Sequence, residues 1–283
     1  MFSNLLHFDL FYNKKLSISL YFIDSFLFFL TYERLLFNST KKYNKNKKEV
    51  VMQQISTYIL LFFIYSFLGW SLEVICKFVS DHKFVNRGFL IGPYCPIYGW
   101  GALIMTFLLN KYLDDPVTLF IMIILVCSIL EYLTSYFLEK IYHTRWWDYS
   151  NYKFNINGRI CLETMIPFGI FGMLIMYKAN PFFVGIINKL PNTFALILSI
   201  LLIIIFIVDN IISSKTILEI QKINKSIQSK LVLKKDDTER ITKLVREKIE
   251  KSKKILNRRL IHAFPHLKLL KRTRQKNTKR KNR

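Results

Sequence analysis

The sequence lacks the motifs with which many enzymes hold nucleotides, metals and nucleophiles. It contains no GxxxxGK(S/T) phosphate-binding loop, no HExxH zinc motif and no GxSxG turn. Its four cysteines form no CxxC pair and its five histidines are scattered, which argues against a zinc site or a disulfide framework. We therefore expect no metal ion, no cofactor and no catalytic residue, although a membrane-embedded enzyme stays an alternative.

Acidic residues are few, and charge is unevenly distributed along the chain. There are 42 Lys and Arg against 19 Asp and Glu, a net charge of +23, although 52% of the residues are hydrophobic. Residues 213–283, here called the tail, contain 24 basic and 6 acidic residues, a net charge of +18. The preceding residues 54–212 are predominantly apolar. This segregation indicates a lipid-embedded body and a water-exposed tail.

The apolar body predicts about five membrane spans. A helix needs roughly 20 apolar residues to cross the hydrocarbon core, and every backbone polar group there must be satisfied internally. The runs that meet this requirement are residues 55–76, 89–109, 117–138, 160–177 and 193–212. The sequence therefore predicts an all-α fold, a polytopic helical membrane bundle at residues 52–212 followed by a helical basic cytoplasmic tail.

The distribution of basic residues predicts the orientation of the bundle. Positive charge favours the cytoplasmic side, so we expect the tail in the cytoplasm and the protein in the cell membrane. The predicted inner loops 77–88 and 139–159 contain seven basic residues, against three in the outer loops. Five lysines at 41–48 contradict this orientation. Residues 1–51 are expected to be a weakly structured N-terminal extension. Either the second span is re-entrant, or translation starts at Met52 and residues 1–51 are not translated.

The tail divides into two parts. Residues 213–262 predict amphipathic helices, with apolar stripes that lie on the body or on the membrane and could alternatively pair with each other. The stripes are Ile217, Ile220, Asn224, Ile227 and Leu231, then Ile241, Val245, Ile249 and Leu256. Residues 263–283 predict a disordered polybasic end that binds anionic lipid headgroups, with RNA as the alternative ligand.

Residues 86–99 are rich in glycine and proline at the start of the second span. Glycine permits unusual backbone angles and proline ends helices, so we expect these residues to shape the backbone: Gly88, Gly92, Pro93, Pro96 and Gly99. Non-helical backbone at membrane depth must be covered by protein or water. The segment then lines an internal cavity or packs under other spans, and a proline-kinked helix start is the simpler alternative.

Charged residues cluster near the predicted inner ends of the spans. Glu131 lies inside the third span, where a charge costs at least about 2.5 kcal/mol and therefore faces the bundle interior. We predict a network at the inner mouth of the bundle, made of Glu73, Arg87, Glu131, Glu139, Asp148, Arg159 and Glu163. Such a network either forms an ion or substrate path or pairs charges to hold the helices in register.

Six segments together resemble a known family: residues 65–75 (YSFLGWSLEVI), 86–99 (NRGFLIGPYCPIYG), 130–134 (LEYLT), 138–140 (LEK), 145–149 (RWWDY) and 157–161 (NGRIC). In this order they resemble the type IV ABC-transporter permease family of bacterial membrane proteins, over residues 52–212. The resemblance implies a multi-pass permease that works with a separate cytoplasmic ATPase. It implies no substrate and no catalytic residue.

These observations lead to one favoured function and two alternatives. As a permease subunit, the protein would dock its ATPase through the loops that hold Arg87 and Asp148, with Glu73, Glu131 and Glu163 lining the inner path. The second hypothesis is a non-transporting scaffold whose tail binds lipid, RNA or a protein. The third is the membrane-embedded enzyme. The sequence does not determine the substrate, the direction of transport or the oligomeric state.

Overall fold

A computed structural model describes residues 45–230, 238–252, 254–265 and 267–270. The predictions for residues 1–44, including most of the N-terminal extension, lie outside the described residues. So do Leu231 and the last thirteen residues of the predicted polybasic end. The predicted extension ends too late, because residues 45–51 already belong to the first described helix.

The described chain is almost entirely helical. The helices of the body are α1 (Lys45–Asp81), α2 (Pro96–Leu109), α3 (Pro116–Tyr142), α4 (Leu162–Leu174), α5 (Asn180–Ile187) and α6 (Asn192–Lys230). A π-helical turn, Ile175–Ala179, joins α4 to α5. The tail adds α7 (Thr238–Glu250) and α8 (Ile255–Ala263). Four two-residue strands, β1 to β4, lie at Thr144–Arg145, Asn155–Ile156, Ile160–Cys161 and Lys268–Leu269.

Among the described residues, four stretches of helix are long and apolar enough to cross a membrane: Val50–Asp81, Pro116–Tyr142, Leu162–Ile187 and Asn192–Ser229. They confirm the predicted helical membrane bundle. The second predicted span differs, because residues 89–95 are not helical and α2 begins only at Pro96. Its 14 residues measure roughly 21 Å at 1.5 Å per residue, less than the hydrocarbon thickness.

Successive passes of the chain run in opposite directions, and α6 runs parallel to α1. Two contacts fix each direction. Helices α1 and α2 meet at Phe62–Gly99 and Tyr58–Phe107, and α2 and α3 meet at Leu130–Gly101 and Cys127–Met105. Helix α3 meets the chain leading through α4 at Ser135–Arg159 and Phe120–Gly169, and α1 meets α6 at Ser56–Ser199 and Phe62–Phe206. The first loop (residues 82–95), the second loop (residues 143–161) and the tail therefore lie at one end of the bundle, here called the tail-side end.

The first loop folds back along α1 before α2 begins. The backbone N–H of Cys95 donates to the carbonyl of Ser66 at 2.8 Å, four turns of helix before the end of α1. Pro96 then occupies the first turn of α2, where its missing N–H costs no hydrogen bond. The second pass is therefore part loop and part helix, as the glycines and prolines of residues 86–99 predict.

Gly99 lies where α2 packs most closely against α1. A Cβ added at Gly99 would lie 2.5 Å from the carbonyl oxygen of Phe62 and 2.3 Å from Oγ of Ser66. We expect Gly99→Ala to push the helices apart and lower the free energy of unfolding by about 1–3 kcal/mol, as overpacking does. Gly101→Ala is the matched control, because its Cβ would meet Leu130 at an ordinary 3.6 Å.

Thermal unfolding in detergent, followed by tryptophan fluorescence, measures both glycine variants. The expected result is a lower melting temperature for Gly99→Ala and little change for Gly101→Ala. Equal shifts in the two variants would mean that the closeness of α1 and α2 at Gly99 does not limit stability.

The tail packs on the body. The side chains of Ile217, Ile220, Ile241, Val245 and Ile249 are fully buried, in one cluster with residues of α3 and of the second loop. Both predicted apolar stripes thus face protein, although Leu256 at the end of the second stripe is exposed.

Strand β4 joins the tail to the second loop. It pairs antiparallel with β1, with Thr144 opposite Leu269 and Arg145 opposite Lys268. Leu267 and Leu269 are also buried in the cluster that holds the tail helices. The sequence predicts a disordered end from residue 263, whereas β4 and its buried leucines hold the described residues 267–270 against the second loop.

Candidate functional site

Glu73 and Arg87 form the first charged cluster at the tail-side end. Oε2 of Glu73 accepts hydrogen bonds from Arg87 at 3.3 Å, and Oε1 accepts one from the hydroxyl of Tyr98 at 2.8 Å. Arg87 also donates to the carbonyl of Ala263 at 2.6 Å and lies 5.7 Å from the centre of the Phe264 ring. This cluster joins α1, α2, the first loop and the tail.

Glu139 and Asp148 organise a second cluster, in which opposite charges alternate. Oε2 of Glu139 lies 3.0 Å from Arg145 and 3.1 Å from Arg159. Asp148 lies 3.5 Å from Arg145 and 2.7 Å from Nζ of Lys268. The cluster joins the end of α3, the second loop and strand β4. It places two predicted partners, Glu139 and Arg159, in direct contact.

The second loop folds tightly around Asp148. The backbone N–H and the hydroxyl of Ser150 both donate to Oδ1 of Asp148, and Gly158 passes close by with a φ of +66°. Burial raises the pKa of Asp148, but hydrogen bonds from Lys268 and Ser150 outweigh it and lower the pKa to about 2. At neutral pH, Asp148 is therefore ionised when Lys268 of the tail is bound to it.

This lowered pKa predicts how the tail responds to acid. A carboxylate whose pKa is lower in the folded state contributes stability above its ordinary pKa, near ~4, and that contribution is lost as pH falls through about 2. We expect Asp148→Asn to lower the melting temperature at neutral pH. The difference in melting temperature between the variant and the unmodified protein should vanish as pH falls from about 4 to about 2. A difference that persists at about pH 2 would mean that the ion pair is not its cause.

Glu131 lies deeper than the two clusters, on α3. It is 7% exposed, and Oε1 accepts a hydrogen bond from the hydroxyl of Tyr149 at 3.3 Å. Oε2 is buried and has no hydrogen-bond partner among the described residues. Burial, Glu131 and the nearby Glu73 all raise the pKa of Tyr149, so its hydroxyl keeps its proton.

Asp209 accepts hydrogen bonds from backbone N–H groups of the first loop. Sequence reasoning did not select this residue. Near the middle of α6, its carboxylate accepts from the backbone N–H of Ile91 at 2.9 Å, from that of Gly92 at 2.7 Å and from the hydroxyl of Tyr94 at 2.6 Å. Asp209 is only 7% exposed. Its position near the end of an apolar run was the available signal, since a buried charge needs partners.

Arg259 binds the backbone carbonyl groups of the same loop. From α8 in the tail, its guanidinium donates to the carbonyl oxygens of Gly88 at 3.1 Å, Phe89 at 3.2 Å and Leu90 at 2.5 and 2.8 Å. Burial lowers the pKa of Arg259, and the carboxylate of Asp209 acts in the opposite direction. Nothing in the sequence distinguishes Arg259 from the other basic residues of the tail.

Six of the seven predicted network residues lie in or beside these clusters. Glu163 is the exception, because it is exposed on the first turn of α4 and makes no ion pair or hydrogen bond within the described part of the chain. Of the predicted backbone-shaping residues, Gly88 has a φ of +108°, and a Cβ on Gly92 would overlap the ring of Tyr94. Pro93 lies in the non-helical first loop.

The fold and its charged end define a multi-pass α-helical membrane protein whose two loops are held by its own tail. A family model described as "Putative ABC-transporter type IV" matches residues 60–214, more than half of the 283 residues. The chain belongs to this ABC-transporter family, as the resemblance in its motifs predicts. The match ends at residue 214, so nearly all of the tail lies outside it. No curated protein and no solved structure matches the chain.

Proposed function

We propose that the chain is the membrane-spanning permease subunit of an ABC-type transporter, with its tail in the cytoplasm and a separate ATPase as its partner. Family membership and four helices of membrane-spanning length support this function. The excess of basic residues in the tail-side loops and in the tail supports the orientation.

The observation that carries the proposal is that the tail is bonded to both loops. Arg259 holds the first loop through its carbonyls, and Lys268 holds the second loop through Asp148. A force applied to the tail by an ATPase would therefore reach the two segments that connect the first four passes of the bundle. This is the mechanical connection that a coupled transporter needs.

We place the coupling surface elsewhere than at the loop residues expected from the sequence. Arg87 and Asp148 already bind Ala263 and Lys268, so they serve as internal attachment points of the tail. The outer face of α7 is the better candidate for contact with the ATPase. It is exposed and charged, whereas its opposite face is buried in the tail core; its exposed residues include Arg240, Lys243, Glu247 and Lys248.

Co-purification from native membranes in mild detergent tests the proposal, with photo-crosslinking to an ATP analogue to detect the partner. We expect a cross-linked ATPase to accompany the tagged chain. Lys268→Ala should leave the ATPase bound but lower its turnover, because the second loop loses its ion pair with the tail. Lys254→Ala is the matched control, since Lys254 pairs with Glu219 within the tail and reaches no loop.

Two results would contradict the proposal. The first is a tagged chain that carries no ATP-binding protein after cross-linking, which is the result expected of a non-transporting scaffold. The second is equal turnover in Lys268→Ala and Lys254→Ala, which would mean that the tail does not couple the ATPase to the second loop.

A further inference from the structure

The carboxyl group of Glu131 is incompletely satisfied. Only Oε1 has a partner, the hydroxyl of Tyr149, whereas Oε2 is buried without one among the described residues. A carboxylate can accept about four hydrogen bonds, and an ionised carboxylate in a low-dielectric interior costs several kcal/mol unless it is paired. The described residues therefore stabilise the ionised form of the Glu131 carboxyl group poorly.

Among the described residues, the groups that interact electrostatically with Glu131 or Tyr149 include Glu73 on α1, Tyr98 on α2, Cys161 at the end of the second loop and Cys127 on α3 itself. The guanidinium of Arg159 lies one turn along α3, where it donates to Ser135, and it is paired with Glu139. Arg87 is paired with Glu73. Within the described ranges, Glu131 thus forms no ion pair.

A metal ion fits this place poorly. The described residues contain no group of three His, Cys, Asp or Glu side chains that could hold one, and hard cations require six or more oxygen ligands. A proton requires only one oxygen. Bound to Glu131, it removes the buried charge and leaves the hydrogen bond from Tyr149 in place.

Two hydroxyl–carboxyl pairs lie in this part of the bundle. The hydroxyl of Tyr149 donates to Glu131 at 3.3 Å, and the hydroxyl of Tyr98 donates to Glu73 at 2.8 Å. The Glu73 side chain is 34% exposed, so water reaches the second pair.

We propose that Glu131 is a proton-binding site, which loads and releases its proton at the tail-side end. On loading, Oε2 of Glu131 takes one proton from water, while the hydroxyl of Tyr149 keeps its own proton and its hydrogen bond to Oε1. The net change is one proton taken from water and one carboxylate made neutral. The site stands on its own geometry and is independent of the transporter assignment.

Infrared difference spectroscopy tests the site in the purified full chain, reconstituted in lipid nanodiscs and taken through a pH step. We expect the carbonyl stretch of a protonated carboxyl group to appear as pH falls. Glu131→Gln should abolish this band. Glu163→Gln is the matched control and should retain it, because Glu163 is an exposed glutamate of the same bundle.

A second variant keeps the test decisive if Glu131→Gln fails to fold. Tyr149→Phe removes the one hydrogen bond that the described residues donate to the carboxyl group, so the band should move to higher frequency. A band unchanged by both Glu131→Gln and Tyr149→Phe, or no band in the unmodified protein, would overturn the proposal. These outcomes are independent of whether an ATPase is recovered with the chain.

Discussion

Replacing Asp209 with alanine should prevent the membrane bundle from folding stably. The substitution leaves the N–H groups of Ile91 and Gly92 and the hydroxyl of Tyr94 without their acceptor, in a buried part of the chain. Each buried donor left without an acceptor costs about 1–3 kcal/mol, so the three donors together account for a large part of the total stability of a typical domain. The measurement is the yield and melting temperature of monodisperse protein in detergent.

Two further variants test whether the lost hydrogen bonds to the first loop cause the loss of stability in Asp209→Ala. Asp114→Ala is the matched control, because Asp114 is an exposed aspartate in the short connection between α2 and α3. Tyr94→Phe removes one of the donors and should cost about 0.5–1.5 kcal/mol, as a single net hydrogen bond does. If Asp209→Ala behaves like Asp114→Ala, the first loop does not depend on the carboxylate.

Replacing Arg259 with alanine should release the tail from the first loop. The side chain of Arg259 makes charge-assisted hydrogen bonds to the carbonyls of Gly88, Phe89 and Leu90, and each bond from a charged donor contributes about 1.5–3 kcal/mol. We expect amide hydrogen exchange to become faster both in residues 88–92 and in α8. Hydrogen exchange detected by mass spectrometry in nanodiscs gives this measurement for each peptide.

The neighbouring arginine provides the control for this experiment. Arg258 is next to Arg259 on α8 but makes no contact of this kind with the first loop, so Arg258→Ala should leave exchange in residues 88–92 unchanged. Arg259→Lys should give an intermediate result, because lysine keeps the charge but lacks the planar group that reaches several carbonyls at once. Identical exchange in Arg258→Ala and Arg259→Ala would exclude the proposed attachment.

Asp209 and Arg259 together explain how a non-helical segment is tolerated in the bundle. The amides of the first loop bind a carboxylate from α6, and its carbonyls bind a guanidinium from the tail. Backbone groups at such depth must find partners within the protein. Because one of the two partners comes from the tail, the second pass of the bundle and the tail are stabilised by the same contacts.

The helices that cross the bundle could be predicted because hydropathy acts locally. Residues 117–138 were expected as a span and lie within α3, and residues 193–212 lie within α6. The apolar stripe of α7 was equally visible, because Ile241, Val245 and Ile249 recur at helical spacing. Helix bounds were less accurate, since α6 continues without a break to Lys230.

The partners of the charged residues could be predicted only in part. Glu73 with Arg87 and Glu139 with Arg159 pair across short stretches of chain, and their position near the span ends was sufficient to select them. Glu163 shares that position but lies on the exposed face of α4. Which face of a helix turns inward near its end depends on the neighbouring helices, and the local sequence does not record it.

By itself the sequence determined that this protein is a helical membrane bundle with a basic tail, because burial of apolar residues in lipid follows from composition and length alone. The tertiary structure alone decided that the tail folds back, that Arg259 and Asp209 meet at the first loop, and that no described residue bonds to Oε2 of Glu131. Those outcomes depend on contacts between residues far apart in the chain. Such contacts are set by how helices pack, which no local pattern of residues specifies.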